Sequence, residues 1–153
     1  KVSINTAAVD HPEIGSEIAA KFGSQCVVLA IDTKLDDGEW KVYIHGGRTP
    51  TPLNAVDWAL EGERRGAGEI LLTSMNNDGT KNGFALDITA AVSSAVNIPV
   101  VASGGAGTMQ HFADVFQQTR ASAALAASIF HFGEIPIPRL KQFLKQQNIE
   151  VRI

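Results

Sequence analysis

The sequence predicts an α/β fold built on parallel strands, and three observations carry that prediction. Apolar runs at residues 2–4, 26–31, 70–73, 99–102 and 123–126 are nearly continuous, the pattern of strands buried on both faces. Stretches with helical periodicity lie between them, so strands and helices alternate along the chain. A complete (β/α)8 barrel takes ~250 residues, and five strands in 153 residues match the share of a truncated one. An open doubly wound sheet is the alternative, and the choice between the two rests on motifs.

The elements follow in order. The chain opens on Lys1-Val-Ser-Ile-Asn5, extended residues with no initiator methionine and no lead-in loop, and reads as a piece of a longer protein. Residues 12–22 place Ile14, Ile18 and Phe22 at helical spacing, with Asp10 positioned to cap them. The strongest strand, 26–31, runs into Asp32. After it, Leu35-Asp-Asp-Gly-Glu39 and Trp40-Lys-Val-Tyr-Ile44 predict a hairpin turned at Asp-Gly, which makes this an elaborated strand-to-helix loop. Thr51-Pro52 signals a helix over 53–65 that stops at Gly66. Helices over 87–96, 109–118 (with Thr108 as cap) and 137–147 complete the pattern.

The composition sets limits on function. A net charge of −3, with 44% hydrophobic and 19% charged residues, describes one soluble globular domain over residues 1–153. The 13 basic residues are scattered, and the adjacent pair Arg64-Arg65 reads as a solvated helix end. Non-specific nucleic-acid binding needs a dense basic face, so no nucleic-acid partner is expected. Cys26 cannot form an internal disulfide, and its apolar neighbours mark it as a core residue rather than a nucleophile. A reducing, cytoplasmic location follows. No apolar run approaches the ~20 residues of a membrane span, no signal peptide is visible, and no membrane partner is expected. His11, His45, His111 and His131 lack metal-ligand spacing, so neither metal nor cofactor is expected. His111, one turn into its helix, reads as exposed.

Chemistry is carried by strand ends and the turns after them. In Val100-Val-Ala-Ser-Gly-Gly-Ala-Gly107 a buried strand enters a glycine-rich turn before a helix, a composition that lets backbone N–H groups approach an anion. The next strand ends in small residues, and Ser128 is placed to open a short helix; paired turns of this kind frequently form a phosphate site in barrels. Asp32 ends the strongest strand, where a carboxylate faces a barrel mouth and serves as general acid or base. Asp78-Gly79 offers a carboxylate and backbone donors from the loop after the following strand. Each feature also has a structural reading: glycines for close packing, Asp32 as a turn cap, Asp78-Gly79 as a tight turn.

Several motifs together resemble the cyclase subunit of imidazole glycerol phosphate synthase. They are Lys1-Val-Ser-Ile-Asn-Thr-Ala-Ala8, Ala30-Ile-Asp-Thr33, His45-Gly-Gly-Arg48, Gly66-Ala-Gly-Glu-Ile-Leu-Leu-Thr-Ser74, Asp78-Gly-Thr-Lys81, Ala102-Ser-Gly-Gly-Ala-Gly107 and Ala126-Ala-Ser-Ile-Phe-His-Phe132. The resemblance extends from Lys1 to the C-terminus, and only the combination is specific. Thr119-Arg120-Ala121-Ser122 departs from the family's usual Gly-Ala-Asp run before the last strand.

The resemblance implies a truncated (β/α)8 TIM-type barrel holding roughly strands four to eight. It implies ammonia-dependent ring closure of a bis-phosphate ribulosyl substrate, a lyase step of histidine biosynthesis, with a glutaminase subunit as partner. Asp32 would be one of two catalytic aspartates, the other belonging to the absent first strand, which would leave this piece inactive alone. Gly79, Gly105, Ala127 and Ser128 would hold one phosphate, with Thr73, Asp78, Ser103 and Gly104 beside it. Asn5 and Thr6 would contribute to the second phosphate site, and Lys1 and Glu69 would border the ammonia entrance. Two rival readings stand beside this one. The sister phosphoribosyl isomerase of the same pathway shares the barrel and both phosphate sites. A non-catalytic half-barrel would bind phosphate and self-associate through exposed strand edges.

Overall fold

Strand β1 (Val2–Ile4) leads into two helices, α1 (Thr6–Asp10) and α2 (Glu13–Phe22), in the computed structural model, which describes residues 1–152. A 3-10 turn, Ser24–Cys26, precedes β2 (Val27–Asp36). Next come β3 (Glu39–Ile44), β4 (Thr49–Asn54) and α3 (Ala55–Arg64). The remainder alternates: β5 (Glu69–Ser74), α4 (Leu86–Ala95), β6 (Val100–Ser103), α5 (Met109–Gln118), β7 (Ala123–Leu125), α6 (Ser128–His131) and α7 (Ile137–Gln146).

Strands β1, β2, β5, β6 and β7 pair side by side and all in parallel, forming part of a (β/α)8 barrel. Strand β2 outgrows this ladder. From Asp32 onward it pairs antiparallel with β3, and β4 adds to the outer edge of β3.

Register assigns the two faces. Val27, Leu29 and Ile31 of β2, Ile70 and Leu72 of β5, and Val100 of β6 are almost fully buried in one cluster with Trp58, Ala59, Ile88 and Val92 of the helices. The other face carries paired rows: Ser3, Val28 and Glu69; then Ala30, Leu71, Val101 and Ala123; then Asp32, Thr73, Ser103 and Leu125. In a closed barrel this second face is a packed interior. Here Val28 is buried at 7%, whereas Leu125 is 42% exposed and most of the others are half-buried.

Four expectations are corrected by the structure. Asp10 does not cap α2: it ends the additional helix α1, and Pro12 occupies the cap position of α2 without a side-chain hydrogen bond. Thr51-Pro52 does not start a helix but lies within β4. The helix begins later because Asn54 Oδ1 accepts from the N–H groups of Val56 and Asp57, at 2.9 and 3.3 Å, and so satisfies donors that a bare helix start would leave open. Cys26 is half-buried rather than in the core, since the 3-10 turn holds it outside the sheet. His111 is also half-buried: its Nδ1 accepts from the Gly107 and Thr108 N–H groups, completing a capping box with the Thr108 side chain.

The Arg64-Arg65 pair sits at a helix end in ion pairs. Arg64 binds Glu61, while Arg65 reaches both Glu61 and Glu13 and thereby fastens α3 to α2. Among the described residues no helix is long and apolar enough to cross a membrane.

Candidate functional site

Three turns meet at the C-terminal ends of the parallel strands, and close backbone packing joins the first two of them. Ser74 closes β5, and its carbonyl accepts from Asp78 N–H at 2.9 Å, folding the loop back at once. Inside that loop Ser74 Oγ donates to Asn77 Oδ1 at 2.9 Å, and Asn77 Nδ2 donates to the Gly83 carbonyl at 2.8 Å. Gly83 N–H then donates to the Gly105 carbonyl at 2.7 Å, tying this loop to the turn after β6.

The glycines are required by space and by backbone angle. Gly104 and Gly105 have φ of +93° and +98°, and a Cβ on Gly105 would collide with the Gly83 carbonyl. Gly79 differs: its φ is +75°, yet nothing lies within 4 Å of where a Cβ would stand. The steric reading of Gly104 and Gly105 is therefore correct, and the same sterics bring two N–H-rich turns together.

Between the turns lies a cleft of about 180 Å³. Asp78 and Gly79 line it from the loop after β5, Ser103, Gly104 and Gly105 from the turn after β6, and Ala127 and Ser128 from the turn after β7. Seven residues singled out in the sequence thus share one cavity. Lys81 lines it too. No role for Lys81 came from the sequence, although its place in Asp78-Gly-Thr-Lys81 was the available signal.

Asp32 occupies the same end of the sheet. It is in register with Thr73, which is in register with Ser103, so the three side chains share a face and a level. Burial pushes the Asp32 carboxyl above the ordinary aspartate range, and the nearby negative charge of Asp78 pushes it further the same way. A half-buried carboxyl with a raised proton affinity, beside a cleft lined by backbone turns, is equipped for acid–base chemistry on an anionic ligand. Thr73 lies in the row with Asp32 and is not among the residues lining the cleft.

The remaining predicted residues lie elsewhere. Asn5, just past β1, donates from Nδ2 to the carbonyls of Ala30 and Tyr43 at 3.1 and 3.3 Å. Thr6 Oγ1 donates to Asn5 Oδ1 and accepts from His45 N–H at 2.9 Å, so the His45-Gly-Gly-Arg48 turn abuts the end of β1. These two residues are outside the cleft between the glycine turns. Lys1 and Glu69 form an ion pair of 2.7 Å at the opposite, N-terminal ends of the strands. Among the described residues no group of three or more histidine, cysteine, aspartate or glutamate side chains is arranged to hold a metal ion.

Comparison with known proteins matches residues 1–136 to the family described as "Histidine biosynthesis protein". Imidazole glycerol phosphate synthase subunit HisF of Flavobacterium johnsoniae is 60% identical over 153 residues, covering 100% of this chain and 61% of that protein. The subunit HisF of a Hydrogenobaculum species is 59% identical over 154 residues, and that of Anoxybacillus flavithermus 57% over 154 residues. The chain spans 61% of the length of each of these relatives. Coverage from Lys1 through both glycine turns to residue 136 leaves the assignment plain: the chain belongs to the Histidine biosynthesis protein family.

Proposed function

We propose that the protein containing this chain is the cyclase subunit of imidazole glycerol phosphate synthase and that the chain forms one domain carrying half of its active site. The observation that carries this reading is the placement of Asp32 at one strand-end level with Thr73 and Ser103, beside the cleft between the glycine turns. In this reading the backbone donors of Gly79, Gly105, Ala127 and Ser128 hold one substrate phosphate, and Asn5 and Thr6 serve the other. Asp32 exchanges a proton with the ring-forming atoms, and its raised proton affinity suits a group that must both give and take one. The second acid–base aspartate belongs to the part of the relatives that this chain does not span, so the 153-residue piece is inactive alone.

The same reading places the ammonia entrance at Lys1 and Glu69, with a glutaminase subunit docked on that face and the assembly in the cytoplasm. The relatives' shared name supports it, since each is called a synthase subunit. The test is Asp32→Asn in the intact protein. Ammonium-dependent ring closure is expected to fall by a factor of about 10² to 10⁴, the usual worth of a general acid–base group, with phosphate binding retained. Turnover close to that of the unsubstituted enzyme would remove Asp32 from the mechanism.

A second reading concerns the isolated piece. Val2 at 48% and Leu125 at 42% exposure stand on the two edge strands of the parallel ladder, β1 and β7. Strand edges and apolar surface left open in this way favour association of one copy with another.

A further inference from the structure

We propose that Lys81 is the charged ligand of the anion cleft and that Glu134, paired with its ammonium, competes with the anion while leaving it one donor. The proposal rests on the phosphate reading given above. Lys81 Nζ donates to both carboxylate oxygens of Glu134, at 2.6 and 2.8 Å. An ammonium group has three donors, so two are engaged and the third remains. Among the described residues that line the cleft, Lys81 is the one basic residue, and Asp78 lines it with the opposite charge. With Glu134 beside it and no Lys81, the local formal charge would be that of two carboxylates, which repels a phosphate.

Both ends of Lys81 have partners. Its backbone has φ of +60°, and it packs so closely on the turn after β6 that a Cβ added to Gly107 would collide with the Lys81 carbonyl and Cβ. Its head pairs with Glu134, which follows α6 and is not itself among the residues that line the cleft. The ion pair therefore ties the loop after β5 to the segment after α6, and because it is exposed it adds little rigidity and leaves the ammonium able to turn to an arriving anion.

The test follows the backbone amides of Gly105 and Ser128 by NMR while the intact protein is titrated with inorganic phosphate. Lys81→Met is expected to weaken binding about tenfold, the effect of one charge-assisted hydrogen bond at a half-exposed site, and to reduce its salt dependence. Lys81→Arg should retain most of the affinity. Glu134→Gln should tighten binding about two- to fivefold, because it removes a repelling charge while an exposed ion pair contributes little rigidity. Opposite signs for Lys81→Met and Glu134→Gln are the signature, since a purely structural staple would make both weaken binding or neither change it. Binding by Lys81→Met within about twofold of the unsubstituted protein, or Glu134→Gln weakening it in step, overturns the proposal. Amides of Gly105 and Ser128 that ignore phosphate in the unsubstituted protein would instead remove the phosphate cleft itself.

Discussion

Asp32 is in register with Thr73 on one side and Tyr43 on the other, and its carboxyl is held half out of water. Burial first, and Asp78 second, raise its proton affinity in the folded state. A carboxyl whose folded pKa lies above its unfolded value favours folding fully below the ordinary 3.8 and loses that contribution as pH rises through the raised value. At neutral pH the ionised group therefore opposes folding. Asp32→Asn is expected to raise the thermal midpoint at pH 7, with the gain shrinking toward nothing as pH falls below about 4; an equal gain at both pH values would contradict this electrostatic account. Asp32 was legible in the sequence because it ends an unbroken apolar strand. Lys81 was not, because its importance depends on Glu134, which is 53 residues away and comes close only through the fold.

At the scale of elements, local signals succeeded where they were strong and failed where pairing decided the outcome. The Asp37-Gly38 turn was readable, and both residues adopt positive φ, 51° and 81°, as a tight hairpin of this class requires. Thr108 caps α5 as its position predicted. Strand β4, which also contains Pro50, was hidden by Thr51-Pro52, which read as a helix start. Prolines are tolerated on an edge strand, where the missing N–H groups face away from the ladder, and the availability of β3 as a partner could not be read locally. The burden of starting α3 falls on Asn54 instead. Asn54→Ala is expected to destabilise the protein by about 1 kcal/mol, seen as a lower denaturant midpoint with an unchanged slope. No change in midpoint would show that the Asn54 cap contributes nothing.

For the whole molecule, the parallel ladder and its helical cover were foreseeable from continuous apolar runs, and the location of the cleft followed from where those runs end. The uncovered state of the second face was not legible in the runs themselves, because a buried-strand sequence looks the same whether or not its partner strands are present; it was expected only from the resemblance to a barrel lacking strands one to three. Ala30, Leu71, Val101 and Ala123 form a row that a closed barrel would bury, yet they are only half-buried. The isolated 153-residue piece is accordingly expected to sediment as a dimer or larger species at micromolar concentration. A monomer across that range would show that the face tolerates water without a partner.

Strand β2 belongs to two ladders, and the changeover falls at Asp32. A residue hemmed in by neighbouring chain on either flank has little backbone freedom, so its carboxylate can be re-aimed only by torsion about its own two side-chain bonds. The hairpin tip beyond it is under no such restraint. Insertions or swaps around Asp37 and Gly38 can therefore accumulate without disturbing the aim of the acid, which separates the part of this loop open to variation from the part on which chemistry depends.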